Sequence, residues 1–122
     1  MATSPPGNLP ATPSIPLTPE ARDAYQDLYD KIQAGIDSTM DEATVEALNA
    51  WFPEVEQVLT KDDLYKISAD NAIFDALKKQ IDYVNGGIKI LRGQIASIAS
   101  DFAMAGDVIA AIDKVLSLVP KA

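Results

Sequence analysis

The chain has no cysteine and no histidine. The first absence removes disulfides and thiol nucleophiles and leaves the redox compartment unconstrained. The second removes the commonest general base, and with it the Ser-His triad. Together they remove the usual zinc ligands. Carboxylates, Lys, Arg, Tyr and hydroxyls remain for chemistry, and they form no catalytic constellation along the chain. The expectation is a protein that is not an enzyme, with no metal and no cofactor. Basic residues are scarce as well: 10 Lys and Arg stand against 18 Asp and Glu, a net charge of −8. Phosphate contacts need clustered cations, so nucleic acid is not an expected partner, and neither is an anionic membrane approached through a basic face. A basic protein surface is compatible. No uncharged apolar run reaches the roughly 18 residues of an ordinary membrane span. Residues 1–19 carry neither a charged side chain nor the apolar segment of a cleavable signal. The compartment stays open: the cytoplasm and export without a cleavable signal are both compatible with this start.

What the chain does have is unevenly distributed. The stretch "MATSPPGNLPATPSIPLTP" holds six of the eight prolines, with Ser, Thr and Gly between them. Such a segment cannot propagate a helix and favours extended, polyproline-like conformations. Residues 1–18 are therefore read as an extended arm or tail, and 19–122 as one helical domain. Leu9, Ile15 and Leu17 punctuate the arm and suit docking on a neighbouring subunit. In composition alone, the charge-poor, Ser/Thr/Pro-rich start also resembles the export segments of type III secretion substrates.

The remainder reads as helix throughout, because apolar residues recur at three and four rather than at two. Thr18-Pro19-Glu20 offers an N-cap, a first-turn proline and an acidic first turn. The spacing of Ala21, Tyr25, Leu28, Ile32 and Ile36 predicts a helix to about Ile36. Ser38-Thr39-Met40-Asp41 reads as a capping box opening a second helix through Val45, Leu48, Trp51 and Phe52, which Pro53 must kink or restart. Thr60-Lys61-Asp62-Asp63 reads as a further capping box, with Leu59 and Leu64 placed as a hydrophobic staple.

From there an apolar stripe runs in alternate steps of three and four: Phe74, Leu77, Ile81, Val84, Ile88, Leu91, Ile95, Ile98, Phe102, Ala105, Ile109, Ile112, Leu116 and Val119. One step back stands Asp70, then Ile67. This is a heptad a/d seam, the pattern of a helix that pairs with other helices. It crosses Asn85-Gly86-Gly87 without losing phase, and the residues that follow make a poor helix start, since Lys89 and Arg92 would put positive charge at a positive dipole end. Against continuity, Asn-Gly-Gly is a strong stop, and two mid-helix glycines cost about 2 kcal/mol relative to alanine. Two architectures follow. One is a single helix from about 61 to 118, which the rest of the chain is too short to cover and which therefore needs an oligomer or partner. The other is a chain broken at 85–87, giving a four-helix bundle of unequal helices that allows a monomer. Burying the stripe is worth roughly 20–40 kcal/mol gross, so it cannot be left in water.

Weaker signals read as structure. "DDLYKISADNAIFD" lacks the glycine and late glutamate of a calcium loop, so Asp62, Asp63, Asp70 and Asp75 read as solvated carboxylates. "GGIKILRG" lacks the Gly-Lys-Ser/Thr ending of a phosphate loop. Trp51-Phe52-Pro53 is the densest aromatic spot, either core packing or a partner anchor. Asp41, Glu42, Glu46, Glu54 and Glu56 give the second helix an acidic face. Small residues after Gly87 let neighbouring helices approach closely.

The expected protein is thus an all-α helical bundle or coiled-coil-like assembly. It is a structural or interaction subunit that associates with itself or with a helical protein partner through the seam, with Trp51 and Phe52 as further contacts. A secreted effector with a membrane-active C-terminal helix, like those of helical pore-forming toxins, and an acidic inhibitor of a basic protein site are the alternatives. Leu91→Asp or Ile98→Asp is expected to abolish assembly or unfold the chain, as sedimentation and circular dichroism would report.

Overall fold

Thr18 caps the first helix as its sequence suggests. Its hydroxyl oxygen accepts the Ala21 N–H at 3.1 Å, Pro19 takes the first helical position, and α1 runs Pro19–Ser38. In this computed structural model the described residues are 16–98 and 102–118. Three further helices follow: α2 Glu42–Ser68, α3 Asn71–Ser97 and α4 Ala105–Ser117. Among the described residues there is no strand. The proposed arm falls largely on residues 1–15, outside the described residues.

The helix boundaries correct several expectations. The second helix is capped by Asp41, whose Oδ2 accepts both the N–H and the hydroxyl of Thr44, rather than by Ser38, which ends α1. Pro53 lies inside α2 without ending it. Pro53 and Asn49 are both exposed, so the carbonyl that loses its donor faces water. The Thr60-Lys61-Asp62-Asp63 box starts nothing, because α2 continues through it and Asp62 is used by a tertiary contact instead. The real stop is at Ala69, left-handed at φ 52°, followed by Asp70, whose carboxylate accepts the Ala72 and Ile73 N–H groups.

The single helix expected from about 61 to 118 is therefore three pieces: the end of α2, α3 and α4. Asn85-Gly86-Gly87 does not interrupt it, since α3 runs straight through. The tertiary contacts explain why. Asn85 is buried and its Oδ1 accepts the Tyr25 hydroxyl at 2.8 Å, tying the middle of α3 to α1. Gly87 is buried beneath the Trp51 indole of α2; a β-carbon there would come within 2.0 Å of the ring. The residues that resemble a turn are the points where two other helices touch α3.

The helices close a four-sided bundle in which α1 packs on α2 and α4, and α3 packs on α2 and α4. Neighbours are antiparallel. The start of α1 meets the end of α2 through Arg22 and Asp63, the end of α2 meets the start of α3 through Tyr65 and Phe74, and Arg92 of α3 reaches Asp113 of α4. Near the other end, Gly35 of α1 sits against the Phe102 ring, which a β-carbon would approach to 2.9 Å. The core runs down the middle on Leu28, Ile32, Leu48, Val55, Val58, Leu77, Ile81, Ile88, Leu91, Val108 and Ile112, all fully buried. At about 1.5 Å per residue, α4 is about 20 Å long and covers only part of α3, which is about 40 Å.

Glycine substitutions test this arrangement. Gly86 and Gly93 have open space where a β-carbon would go, so Gly86→Ala and Gly93→Ala should each stabilise by about 0.5–1 kcal/mol. Gly87→Ala must displace Trp51 and should cost about 1–3 kcal/mol. Urea midpoints at unchanged slope would measure both, with a red shift of tryptophan emission in Gly87→Ala alone.

Candidate functional site

The heptad seam lies where the bundle needs it. Leu77, Ile81, Val84, Ile88, Leu91, Ile95, Phe102, Ala105 and Ile112 are buried, while Ile98, Ile109 and Leu116 are half-buried against the same core. Phe74 is half-buried and packs edge-on to Tyr65, ring centroids 5.6 Å apart. Val119 lies outside the described residues. The seam is covered by α1, α2 and α4 of the same chain, so burial by itself no longer demands a partner. The apolar face of α4, which sequence put forward as membrane-active, is turned into the bundle through Val108, Ile112 and Val115. Among the described residues no helix is long and apolar enough to cross a membrane.

Trp51 and Phe52, read together as one aromatic spot, point to different neighbours. Consecutive helical residues stand about 100° apart. Phe52 faces α1 and stacks on Tyr29 at 4.5 Å with the rings 13° from parallel. Trp51 faces α3, tilted 50° against Tyr83 with centroids 5.0 Å apart. Tyr83 is 57% exposed, and Ile90, two turns further along α3, is 64% exposed. Tyr83, the Trp51 ring on Gly87, and Ile90 form a row along the outer junction of α2 and α3. One turn beyond, Ala47, Gln94 and Ile98 help to line a cleft of about 250 Å³ that reaches Asp41 and Ser97. The cleft's one carboxylate is committed: Thr44 hydrogen bonds hold Asp41 below the usual carboxylate pKa. Among the described residues no three acidic side chains are grouped to hold a metal. The row offers apolar surface and a few donors, which suits holding a chain segment. Leu64 and Ile67, the latter 85% exposed, add apolar surface on the outside of α2.

A second feature was not foreseen. Asp62, expected to be solvated, is fully buried. Its Oδ1 accepts the Leu17 N–H at 2.7 Å, and Leu17 itself is a core residue although sequence placed it in the arm. Oδ2 receives no aligned hydrogen bond; its charge is met by Lys66 Nζ at 2.7 Å and Arg22 Nε at 3.8 Å. Arg22 also forks onto Asp63 at 3.0 Å through Nη2, a hydrogen bond that raises its pKa. The other expected carboxylates have plain roles, Asp70 as a helix cap and Asp75 as an exposed residue. Elsewhere, Arg92 hydrogen bonds hold Asp113 below the usual carboxylate range, and burial pushes the Tyr25 phenol up. The Arg92 pair is exposed and worth little to stability.

Comparison of the chain with protein-family models, with curated proteins and with solved structures finds no match.

Removing the buried carboxylate gives a direct test. Asp62→Ala leaves the Leu17 N–H without an acceptor and should cost about 1–3 kcal/mol. Asp62→Asn, which keeps an oxygen for that N–H, should cost less. Denaturation midpoints would rank the two, and hydrogen exchange at the Leu17 amide should accelerate most in Asp62→Ala.

Proposed function

We propose that this chain is a non-enzymatic helical interaction subunit that assembles with further copies of itself. The observation that carries the reading is large apolar side chains on the outside of a bundle whose core is already filled. Tyr83 and Ile90 stand exposed on α3, Tyr83 against the half-buried Trp51, and Leu64 and Ile67 stand exposed on α2, while Leu91, Ile88 and their neighbours are buried within the same molecule. Isolated exposed apolar residues are ordinary, but a Trp-Tyr-Ile row beside a cleft is the composition of interface centres. The assembly surface is accordingly assigned to the outer faces of α2 and α3 rather than to the a/d seam.

Sedimentation of the full chain up to about 1 mM, where association worth only about 4 kcal/mol still registers, should give a mass that rises above 13.1 kDa. A single species of that mass at every concentration would remove the reading.

A further inference from the structure

We propose that Asn85 is a deamidation site held closed by the fold: its side chain condenses with Gly86 only in a chain that has opened, and the product cannot return to the bundle. Neither step requires a second copy of the chain.

The chain has four asparagines, and the residues that follow them are Leu9, Ala50, Ala72 and Gly86. Asn85 alone precedes a glycine. In an open chain that pairing is the reactive one. The Gly86 nitrogen attacks the Asn85 side-chain carbon, and the new N–Cγ bond closes a cyclic imide. The Cγ–Nδ2 bond breaks and releases ammonia, which carries off the Gly86 amide proton. Water then opens the ring at either carbonyl. Cleavage at Cγ leaves aspartate. Cleavage at the backbone carbonyl leaves isoaspartate, with the main chain routed through the side chain. Nothing is oxidised or reduced, and water is the one co-reactant. A side chain on the following residue obstructs the attack; glycine has none and lets the backbone reach the angles the ring needs.

The native structure closes each route to that ring. α3 runs through both residues, so the Gly86 N–H is spent in a helical hydrogen bond. Helical ψ, about −42°, turns the Gly86 nitrogen away from the Asn85 side chain, and ring closure needs a rotation that a helix interior does not make. Asn85 is 9% exposed, and its Oδ1 accepts the Tyr25 hydroxyl at 2.8 Å, which ties the side chain to α1. The next residue, Gly87, is covered by the Trp51 indole of α2. Cyclisation therefore requires α3 to come away from both neighbours. A reaction of such an opened state tracks its equilibrium population. Gly86 makes the site labile, yet packing does not require it: it is exposed, its φ is not positive, and open space stands where a β-carbon would go.

Either product obstructs refolding. Isoaspartate adds a carbon to the main chain in the middle of α3. The helical hydrogen bonds across it lose register, and Ile88, Leu91 and Ile95 turn out of phase with Leu77, Ile81 and Val84, although all six are buried on one seam. Aspartate places a carboxylate at a buried position where the Tyr25 hydroxyl donates a single hydrogen bond, and a buried charge so poorly met is costly.

The test incubates the full chain in mildly alkaline buffer, native and in denaturing urea, with circular dichroism verifying each state. Peptide mass spectrometry follows residue 85, and an isoaspartate assay identifies the product. Conversion at Asn85 should be at least about a hundredfold faster in urea than in the native chain, and faster in urea than at Asn49 or Asn71. Gly86→Ala should slow conversion in urea severalfold; because that rate is measured unfolded, added stability cannot account for it. On dilution from urea, unmodified chains should regain the helical spectrum while isoaspartate-containing chains stay unfolded. Equal rates in the native and unfolded chains would overturn the closure. No conversion at Asn85 in urea, or a Gly86→Ala rate equal to wild type there, would overturn the site. Isoaspartate-containing chains that refold with the wild-type midpoint would overturn the block to return.

Discussion

The structure depends on one constraint: the apolar face of α3 has to be covered along its length. From Leu77 to Ile95 every seam position is buried. No single helix of this chain provides that cover. The stretch of α2 from Leu48 to Leu59 lies along one side, α1 supplies Tyr25, Leu28 and Ile32, and α4 closes the last turns through Val108, Ile112 and Val115. A leucine or isoleucine at these positions contributes about 2–5 kcal/mol against truncation to alanine, so the positions of the other three helices follow from where α3 is apolar.

Covering α3 closely required small or polar residues at two contact points. Tyr25 carries a hydroxyl into the interior, and Asn85 accepts it. Trp51 carries an indole onto α3, and Gly87 makes room. A buried hydroxyl without an acceptor, or a β-carbon beneath the indole, would each forfeit part of the packing they serve. Asp62 is the same kind of device at the end of the bundle: it takes the N–H of Leu17 and so fixes the residue that seals the core there. The same placement leaves Trp51 half-buried, in contact with Tyr83.

The fold class, the α1 start at Thr18-Pro19 and the core face of α3 were legible in the sequence because each is written in local residues: a cap, a proline, a periodicity. The connection between α3 and α4 was not. The seam keeps its phase from Ile98 to Phe102 to Ala105, steps that a continuous helix would also give, yet α3 ends at Ser97 and α4 begins at Ala105. Phase can survive a turn when both helices face the same core. The break at 69–70 had a signal: Asp70 was the polar residue in an otherwise apolar stripe, and it is the cap of α3. The aromatic contact at Trp51 was half legible, since the tryptophan was singled out but its partner Tyr83 lies more than thirty residues away.

By itself the sequence determined that the chain is helical, that its apolar residues form one stripe per helix, and that histidine and cysteine chemistry is excluded. Those properties follow from residue identity and spacing, which act over a turn or two of helix. Tertiary structure alone decided that Asn85-Gly86-Gly87 is helix interior, that Asp62 is buried rather than solvated, and that the stripe is covered within one molecule. In each case the deciding energy comes from contacts between residues distant in sequence, Tyr25 with Asn85, Trp51 with Gly87 and Leu17 with Asp62, and these outweigh the local preferences that a one-dimensional reading can see.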